Sequence, residues 1–415
     1  MRVLMFGWEF PPFSSGGLGT ACFGLTKGLK NHNVDVTFVM PKKYKNMKAE
    51  HVKLVSSQSA RYSRVKKTVT VNSPIVAYMT PEEYKKDIIL RTKRKGKKGK
   101  QSSSIYGKNL FEEVLRYSRK AAYIAKKNPH DVIHSHDWMT YKAGIEAKKA
   151  SGKPFVIHVH ATEFDRTGGN GVNKFVYDIE REGMHTADQI IAVSNFTKNK
   201  IVYHYGVDPD KITVVHNAVE FTDYNYDQND FKIKEKDKVV LFLGRVTLQK
   251  GPDYFIDAAK KALEVDPNIK FIVAGAGDML GSTIERAADI GIADKVLFTG
   301  FINPNEVDRL YKLADLYVMP SVSEPFGITP LEAMRNGTPI LISKQSGVSE
   351  VVDHCLKVDF WDTDAMVNKM IGVLKYEALS NTLKDHGSVE IKKFNWNEPA
   401  KKCVEVYRKA GDTIG

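Results

Sequence analysis

Short apolar segments alternate with helical segments along most of the chain. An apolar run at residues 2–7 is followed by a glycine-containing loop, by helical spacing from Thr20 to Lys30, and by a second apolar run at residues 35–40. Apolar runs of this length, bounded by loops, are typical of buried strands, and strand–helix–strand units build parallel sheets. The alternation therefore predicts an α/β fold.

The alternation occurs in two series separated by a polar stretch. Residues 224–230 carry no periodicity and are typical of a linker, after which the strand-like runs resume at residue 239. A chain of 415 residues is also long enough for two domains. We therefore predict two Rossmann-like domains with doubly wound parallel sheets, residues 1–218 and 219–393, that face each other across a cleft.

Composition excludes several classes of protein. Hydrophobic residues make up 42% of the chain and charged residues 27%, which is typical of a soluble globular protein. No apolar run approaches the roughly 20 residues that a membrane span needs. The three cysteines are scattered, which indicates neither a disulfide framework nor a zinc site. A cytoplasmic location is expected.

Much of the net charge of +13 comes from one basic segment. Nine Lys or Arg residues lie between Lys85 and Lys100, against the single acid Asp87. Such a block is typical of a solvated, flexible loop, predicted at residues 85–104, that could contact an anionic membrane surface. A polyanion-binding protein is the alternative outside enzymology, but it leaves the motifs described below without a role. No nucleic-acid partner is expected.

The strongest motif is an acidic loop followed by a helix start, Ser323-Glu324-Pro325-Phe326-Gly327-Ile328-Thr329-Pro330-Leu331-Glu332. Thr329 and Glu332 have the spacing of a capping box, with Pro330 at the favoured first helical position. That explanation gives Glu324 no role. A helix start also offers free amides and a dipole that suit a diphosphate, with Glu332 placed to bind ribose and Glu324 to reach a sugar. Residues predicted to bind a nucleotide sugar here are Phe326, Gly327, Ile328, Thr329 and Glu332.

A second motif, Gly244-Arg245-Val246-Thr247-Leu248-Gln249-Lys250-Gly251, follows a predicted strand. Arg245 and Lys250 could stabilise the charge that develops on a diphosphate leaving group, each contact contributing roughly 1.5 to 3 kcal/mol. Two such cations could replace a metal, so neither a metal nor a cofactor is expected. Gly244 and Gly277 are predicted to border the nucleotide.

Histidines alternate along two predicted strands. His134 and His136, like His158 and His160, are two residues apart, so each pair points to one face of its strand. A metal site is disfavoured because the cations of the second motif already supply the required charge. His136 and Asp137 lie at a strand end facing the cleft, where they either contact the acceptor or have only a structural role.

Together these motifs resemble the retaining glycosyltransferases of the GT-B fold, and among them glycosyltransferase family four. The likeness rests on Gly-Arg and Lys-Gly around Arg245 and Lys250, followed about 75 residues later by Glu324 and eight positions on by Glu332. The resemblance extends over nearly the whole chain. It implies that the last helix, about residues 394–415, packs back on the first domain.

The resemblance also implies roles for individual residues. Arg245 and Lys250 would hold the diphosphate, and Glu324 would contact the transferred sugar. His160 matches the active-site histidine of the family. Gly17, with its neighbour Leu18, would offer backbone amides to the phosphate or sugar. The substrates implied are a nucleotide-sugar donor and a glycan acceptor.

The residues after the first predicted strand suggest the acceptor class. Glu9 and the Pro-Pro-Phe-Ser-Ser-Gly-Gly-Leu-Gly that follows Phe10 are similar to the opening of bacterial glycogen and starch synthases. Glu9 is therefore an expected acceptor contact. The function predicted is retaining transfer of a hexose, glucose from ADP- or UDP-glucose, to an α-glucan. The alternative is a transferase of cell-envelope or lipid-linked glycan synthesis that uses another nucleotide sugar.

Overall fold

The computed structural model of the chain describes residues 1–11, 17–41, 49–57, 110–221 and 237–412. Among these residues, the first domain contains a seven-stranded sheet in which all paired strands run parallel. Its strands are β1 (Arg2–Phe6), β2 (Asp35–Met40), β3 (Lys53–Ser56), β4 (Val132–His136), β5 (Phe155–Val159), β6 (Gln189–Ala192) and β7 (Ile212–Val214). They lie in the order β3-β2-β1-β4-β5-β6-β7.

The second domain repeats this architecture. Its strands are β8 (Lys238–Leu243), β9 (Ile269–Ala274), β10 (Val296–Gly300), β11 (Leu316–Met319), β12 (Ile340–Ser343) and β13 (Leu356–Val358). They form a parallel six-stranded sheet in the order β10-β9-β8-β11-β12-β13. The predicted fold class, α/β with two doubly wound parallel sheets, is confirmed.

Helices connect the strands of both sheets. Those of the first domain are α1 (Gly17–Asn31), α2 (Leu110–Lys127), α3 (Trp138–Ser151), α4 (Glu163–Arg166), α5 (Lys174–Thr186) and α6 (Asn195–Tyr205). Those of the second domain are α7 (Pro252–Val265), α8 (Leu280–Asp289), α9 (Pro304–Leu313), α10 (Ile328–Arg335), α11 (Thr363–Lys375) and α12 (Glu377–Glu390), and a final helix α13 covers Asn397–Asp412. None of the helices in the described ranges is both long and apolar enough to cross a membrane.

Each sheet is covered on both faces. Along β1, Leu4 and Phe6 belong to one hydrophobic cluster, whereas Val3 and Met5 belong to the cluster on the opposite face. The second domain likewise has a cluster on each face of its sheet. Strands buried on both faces need apolar side chains at every position. This explains why the strand segments are continuous apolar runs rather than alternating ones.

The C-terminal helix α13 packs on α1 of the first domain. A Cβ atom at Gly24 would lie 2.2 Å from Trp396 Nε1, and one at Gly28 would lie 2.3 Å from the Trp396 carbonyl oxygen. Only glycines allow the two segments to approach this closely. Trp396 and α13 are thereby part of the first domain's core. Residues 413–415, and the basic loop predicted at 85–104, lie outside the described residues.

The chain passes between the two domains near Val219 and again near Phe394. These two crossings run side by side, because the Val219 backbone N–H donates to the Phe394 carbonyl oxygen over 3.1 Å. Lys27 of α1 forms an ion pair with Glu220 over 2.7 Å. The Arg335 guanidinium donates to the Glu220 carbonyl oxygen. Glu220, at the first crossing, is thus bonded to Lys27 of the first domain and to Arg335 of the second.

We predict that Gly28→Ala destabilises the first domain. An added methyl would collide with the Trp396 carbonyl and with Ala400 Cβ, 2.9 Å away. Forced overpacking costs about 1–3 kcal/mol. Thermal unfolding followed by circular dichroism should show a lower Tm.

The matched control is Gly281→Ala, in α8, where an added Cβ would meet nothing within 4 Å. That variant should unfold at the same temperature as the wild type or slightly higher, since alanine favours helix. Equal Tm values for the two alanine variants would contradict the close approach of α1 and Trp396.

Candidate active site

Loops at the carboxyl ends of the two sheets contact each other directly. Ser194, just after β6, donates from Oγ to the Pro325 carbonyl oxygen over 2.5 Å, and Thr197 Oγ1 donates to the same oxygen over 3.2 Å. A Cβ atom at Gly347 would lie 2.5 Å from Ser194 Cβ. The loop that contains the predicted acidic motif is therefore in contact with the first domain.

Lys250 and Glu324, which belong to different sequence motifs, form an ion pair. The two side chains are only 18% and 8% exposed, and Ser321 Oγ donates to the same Glu324 oxygen over 3.3 Å. The Glu324 backbone N–H donates to the Gln345 carbonyl oxygen over 2.9 Å. The Glu324 carboxylate is therefore held in position by neighbouring groups.

The loop after β8 carries Arg245 and packs against the loop after β9. A Cβ atom at Gly275 would lie 1.8 Å from the Gly244 carbonyl oxygen, and one at Gly277 would lie 2.1 Å from the Val246 carbonyl oxygen. These glycines allow the two loops to touch. Arg245, half-buried, donates from Nη2 to Gln249 Oε1 over 3.3 Å. The roles of Arg245, Gly244 and Gly277 in binding a nucleotide stay predictions.

The helix after the acidic loop begins earlier than the sequence suggested. Helix α10 starts at Ile328, with Gly327 as its N-cap at φ 100°, so Thr329 lies inside the first turn. The capping-box interpretation of Thr329 and Glu332 is therefore wrong. The Thr329 hydroxyl instead accepts a hydrogen bond from Tyr317 over 2.8 Å. The first amides of α10 come from Ile328 and Thr329, as an anion site at this helix start would require.

Two predicted nucleotide-sugar residues have side chains in the protein interior. Phe326 is 2% exposed and lies in a core cluster of the second domain. Ile328 packs against that cluster and also against a cluster of the first domain. These two residues could therefore contact a ligand through the backbone, while their side chains join the domains.

Glu332 lies in the first turns of α10, half-buried. Its Oε2 accepts from the Tyr311 hydroxyl over 3.2 Å. Burial raises the pKa of Glu332, although nearby Arg335 partly opposes this shift. The Tyr311 hydroxyl therefore orients the Glu332 carboxylate. The contact of Glu332 with a ribose stays a prediction.

Four histidines form a cluster on one face of β4 and β5. The rings of His134, His136, His158 and His160 lie nearly parallel, with neighbouring centroids 4.2 to 5.5 Å apart. Burial lowers the pKa of all four, so they are neutral at pH 7. Ligand nitrogens of the first three lie within 4.8 Å of one another. A shared metal would need their lone pairs to converge, which nearly parallel rings do not favour, and the absence of a metal stays a prediction.

His136 does not face the cleft as expected. Its ring is fully buried, and Nδ1 is hydrogen-bonded to His160 Nε2 over 2.9 Å. Asp137, which is 6% exposed, accepts on Oδ1 from the His160 backbone N–H over 2.7 Å. His136 therefore supports His160, and its contact with an acceptor stays a prediction. His160 itself is half-buried at the end of β5.

The N-terminal loop is described only in part, because residues 12–16 lie outside the described ranges. Gly17 is exposed at the first position of α1, with open space around the site of a Cβ atom. Leu18 packs against both core clusters of the first domain. Glu9 is 9% exposed, following β1. The ligand contacts expected of these residues stay predictions.

Sequence reasoning missed a set of contacts that joins the two domains. Asp165, Lys200 and Ser323 are mutually hydrogen-bonded, and Glu350 accepts from the backbone N–H groups of Asn195 and Phe196 over 2.9 and 2.6 Å. Burial raises the pKa of Asp165, but Lys200 and hydrogen bonds from Ser323 and Thr162 outweigh it and hold that pKa low. The partners are distant in sequence, so no local pattern identifies them.

Comparison with known proteins gives matches over most of the chain. A model of glycosyltransferase family 4 matches residues 91–222, and a model of group 1 glycosyl transferases matches residues 223–388. An uncharacterized glycosyltransferase of Methanocaldococcus jannaschii is 30% identical over 441 aligned positions that cover 100% of both chains.

Two other relatives have names that specify an activity. Glycogen synthase of Mycobacterium tuberculosis is 26% identical, over 85% of this chain and 80% of that protein. A UDP-Gal:alpha-D-GlcNAc-diphosphoundecaprenol alpha-1,3-galactosyltransferase of Escherichia coli is 27% identical, over 68% of this chain and 76% of that protein.

The fold is also found among solved structures. Sucrose-phosphate synthase from Thermosynechococcus elongatus superposes with a TM-score of 0.75 at 18% identity, over 98% of both chains. The full-length relative, the two adjoining family matches and the paired parallel sheets lead to one conclusion: the chain belongs to glycosyltransferase family four and has the GT-B fold.

Proposed function

We propose that the chain is a retaining hexosyltransferase that moves glucose from ADP- or UDP-glucose to an α-glucan. The observation that carries the proposal is the Lys250–Glu324 ion pair close to the start of α10. A breaking bond between sugar and diphosphate needs cations and N–H donors for the leaving group, and hydrogen-bonding partners for the sugar. Both kinds of group occur on the loops around this pair.

In this proposal the second domain binds the donor. Arg245, Lys250 and the first amides of α10 hold the diphosphate, while Glu332 accepts from the ribose hydroxyls. Lys250 then shares its charge between the diphosphate and Glu324. Such fixed cations supply the electrostatic stabilisation that a metal would otherwise give, so we expect transfer without a metal.

The first domain supplies His160 on the opposite side of the cleft. Burial lowers the pKa of His160, so the ring is neutral and can exchange hydrogen bonds with sugar hydroxyls. We assign it the role of orienting the sugar. The Asp137 carboxylate supports this role because it accepts from the His160 backbone N–H.

We propose attack on the face of the sugar from which the leaving group departs. A double displacement would need a carboxylate free to bond the anomeric carbon. Glu324 is already paired with Lys250, and Glu332 is oriented by Tyr311. The bond from the anomeric carbon to phosphate breaks as the bond to the acceptor oxygen forms. The acceptor's proton passes to the leaving phosphate, whose charge Arg245 and Lys250 stabilise.

An α-glucan acceptor is supported by the similarity to a glycogen synthase and by Glu9 in the loop after β1. A lipid-linked acceptor is the second candidate. It is supported by the Escherichia coli relative, whose name specifies a diphosphoundecaprenol-linked substrate. Peripheral membrane contact through residues 85–104 would suit that candidate, although this segment lies outside the described residues.

A panel of nucleotide sugars tests donor and acceptor together. Each donor is incubated in EDTA with glycogen, with a maltooligosaccharide or with a polyprenyl-diphosphate-linked sugar, and release of nucleoside diphosphate is measured. We expect glucan-dependent release from ADP- or UDP-glucose. Release only with the lipid-linked acceptor would favour the second candidate. Activity that is lost in EDTA and restored by Mg²⁺ or Mn²⁺ would overturn metal independence.

Substitutions in the second domain test the donor site. Arg245→Ala should lower kcat/KM roughly 10- to 150-fold, corresponding to about 1.5 to 3 kcal/mol for one charge-assisted contact. Glu332→Gln should weaken binding of the nucleoside diphosphate, measured by calorimetry. The control is Lys261→Ala, which removes an exposed cation paired with Asp364 over 2.6 Å. The site assignment fails if Arg245→Ala is as active as this control.

Product stereochemistry tests the reaction course. We expect the first product formed from an α-linked donor to be α-linked, since attack occurs on the face that the diphosphate leaves. Proton NMR of the new anomeric signal during the first turnovers decides this. A β signal would exclude retention. An isolated glycosyl adduct on Glu324 would keep retention but replace same-face attack with double displacement.

A further inference from the structure

Three side chains from both domains meet beside the candidate site, and we call them the interdomain bridge: Asp165, Lys200 and Ser323. Lys200 Nζ lies 2.6 Å from Asp165 Oδ1 and 2.5 Å from Ser323 Oγ. Ser323 Oγ lies 2.6 Å from the same Asp165 oxygen. Asp165 is fully buried and Ser323 is 4% exposed. The Asp165–Lys200 ion pair of the first domain is therefore hydrogen-bonded to the Ser323 hydroxyl of the second domain.

Two members of the bridge, Ser323 and Asp165, are close in sequence to predicted site residues. Ser323 immediately precedes Glu324. Asp165 follows His160 by five residues, and its other oxygen accepts from the Thr162 backbone N–H and hydroxyl, both over 2.8 Å. The bridge therefore connects the His160 loop of the first domain to the Glu324 loop of the second.

The first domain also binds the residue on the other side of Glu324. The Pro325 carbonyl oxygen accepts from Ser194 Oγ over 2.5 Å and from Thr197 Oγ1 over 3.2 Å. Both sequence neighbours of Glu324 are thus hydrogen-bonded across the domain boundary. Within its own domain, the Glu324 side chain is bonded to Lys250 and to Ser321.

We infer that Asp165, Lys200 and Ser323 are positioning residues. When the domains are closed, they hold the Glu324 carboxylate in the position that sugar transfer requires. The inference rests on the proposed function, because it assigns Glu324 to the transferred sugar. The nucleotide contacts of the proposed function are Arg245, Lys250, Glu332 and the start of α10, and all of them belong to the second domain. Nucleotide binding should therefore be independent of the bridge, whereas turnover should depend on it.

The test uses Ser323→Ala, which removes the shared hydroxyl but leaves the Asp165–Lys200 pair intact. Removing Lys200 instead would leave a buried carboxylate unpaired and endanger folding. We expect kcat to fall about tenfold or more, as loss of a charge-assisted hydrogen bond implies. The Kd of ADP or UDP, measured by calorimetry, should change less than about twofold. Ser323→Thr keeps a hydroxyl and should recover most of the lost turnover.

The matched control is Ser388→Ala, which removes an exposed hydroxyl bonded to the Asp385 carbonyl oxygen in α12. It should leave kcat and the Kd unchanged. An unaltered kcat in Ser323→Ala would overturn the inference. So would equal losses of kcat, nucleotide affinity and Tm, since these would indicate general damage.

Small-angle X-ray scattering tests the bridge without an activity measurement, so its outcome does not depend on the proposed function. Ser323→Ala combined with Ser194→Ala removes bonds on both sides of Glu324, and the radius of gyration should rise above that of the wild type. An unchanged radius would overturn the inference even if transfer is observed. A wild-type protein that transfers no sugar would contradict the proposed function, while scattering would still decide whether the bridge holds the domains closed.

Discussion

In a parallel sheet all strands end at the same edge, and in this chain two such edges are brought into contact. Four candidate site groups lie on loops that follow strands: Asp137 after β4, His160 after β5, Arg245 after β8 and Glu324 after β11. The strands are buried on both faces, so only their ends are available to bind a ligand. The location of the site is thus a consequence of strand direction, and loop sequences determine its chemistry.

The two sides of the cleft differ in electrostatic character. On the first domain, burial lowers the pKa of the clustered histidines, and only the neutral His160 ring of this cluster is partly exposed. On the second domain Arg245 and Lys250 carry charge, and Glu324 offsets part of it. In the proposed function, an anionic nucleotide is therefore attracted to the second-domain side. The neutral side suits hydroxyl-rich molecules, which need hydrogen bonds more than charge.

Periodicity and glycine positions predicted both sheets and the motif loops, because these depend on neighbours in sequence, but β3 and β13 were not predicted. The helix start was predicted two residues late, since Pro330 and Thr329 are typical of a first turn but Gly327 adopts the backbone conformation that starts α10. His136 was expected to face the cleft because it lies at a strand end. Alternation along a strand does not indicate which element covers each face, so the burial of His136 could not be predicted. Here α13 covers part of the face that carries the histidines: Tyr407 lies 2.7 Å from His134 Nδ1. The bond from Ser323 to Asp165 spans 158 residues and has no local signal.

The paired crossings near Val219 and Phe394 limit how the domains can move. Two chain segments that are hydrogen-bonded side by side would favour rotation about the crossings over other motions of the two domains. The separation of facing atoms then depends mainly on a single angle. Contacts across the boundary, at Ser323, Pro325 and Glu350, are consequently linked by rigid-body geometry. If the domains rotate about the crossings, these contacts would form and break together, and closure would be cooperative.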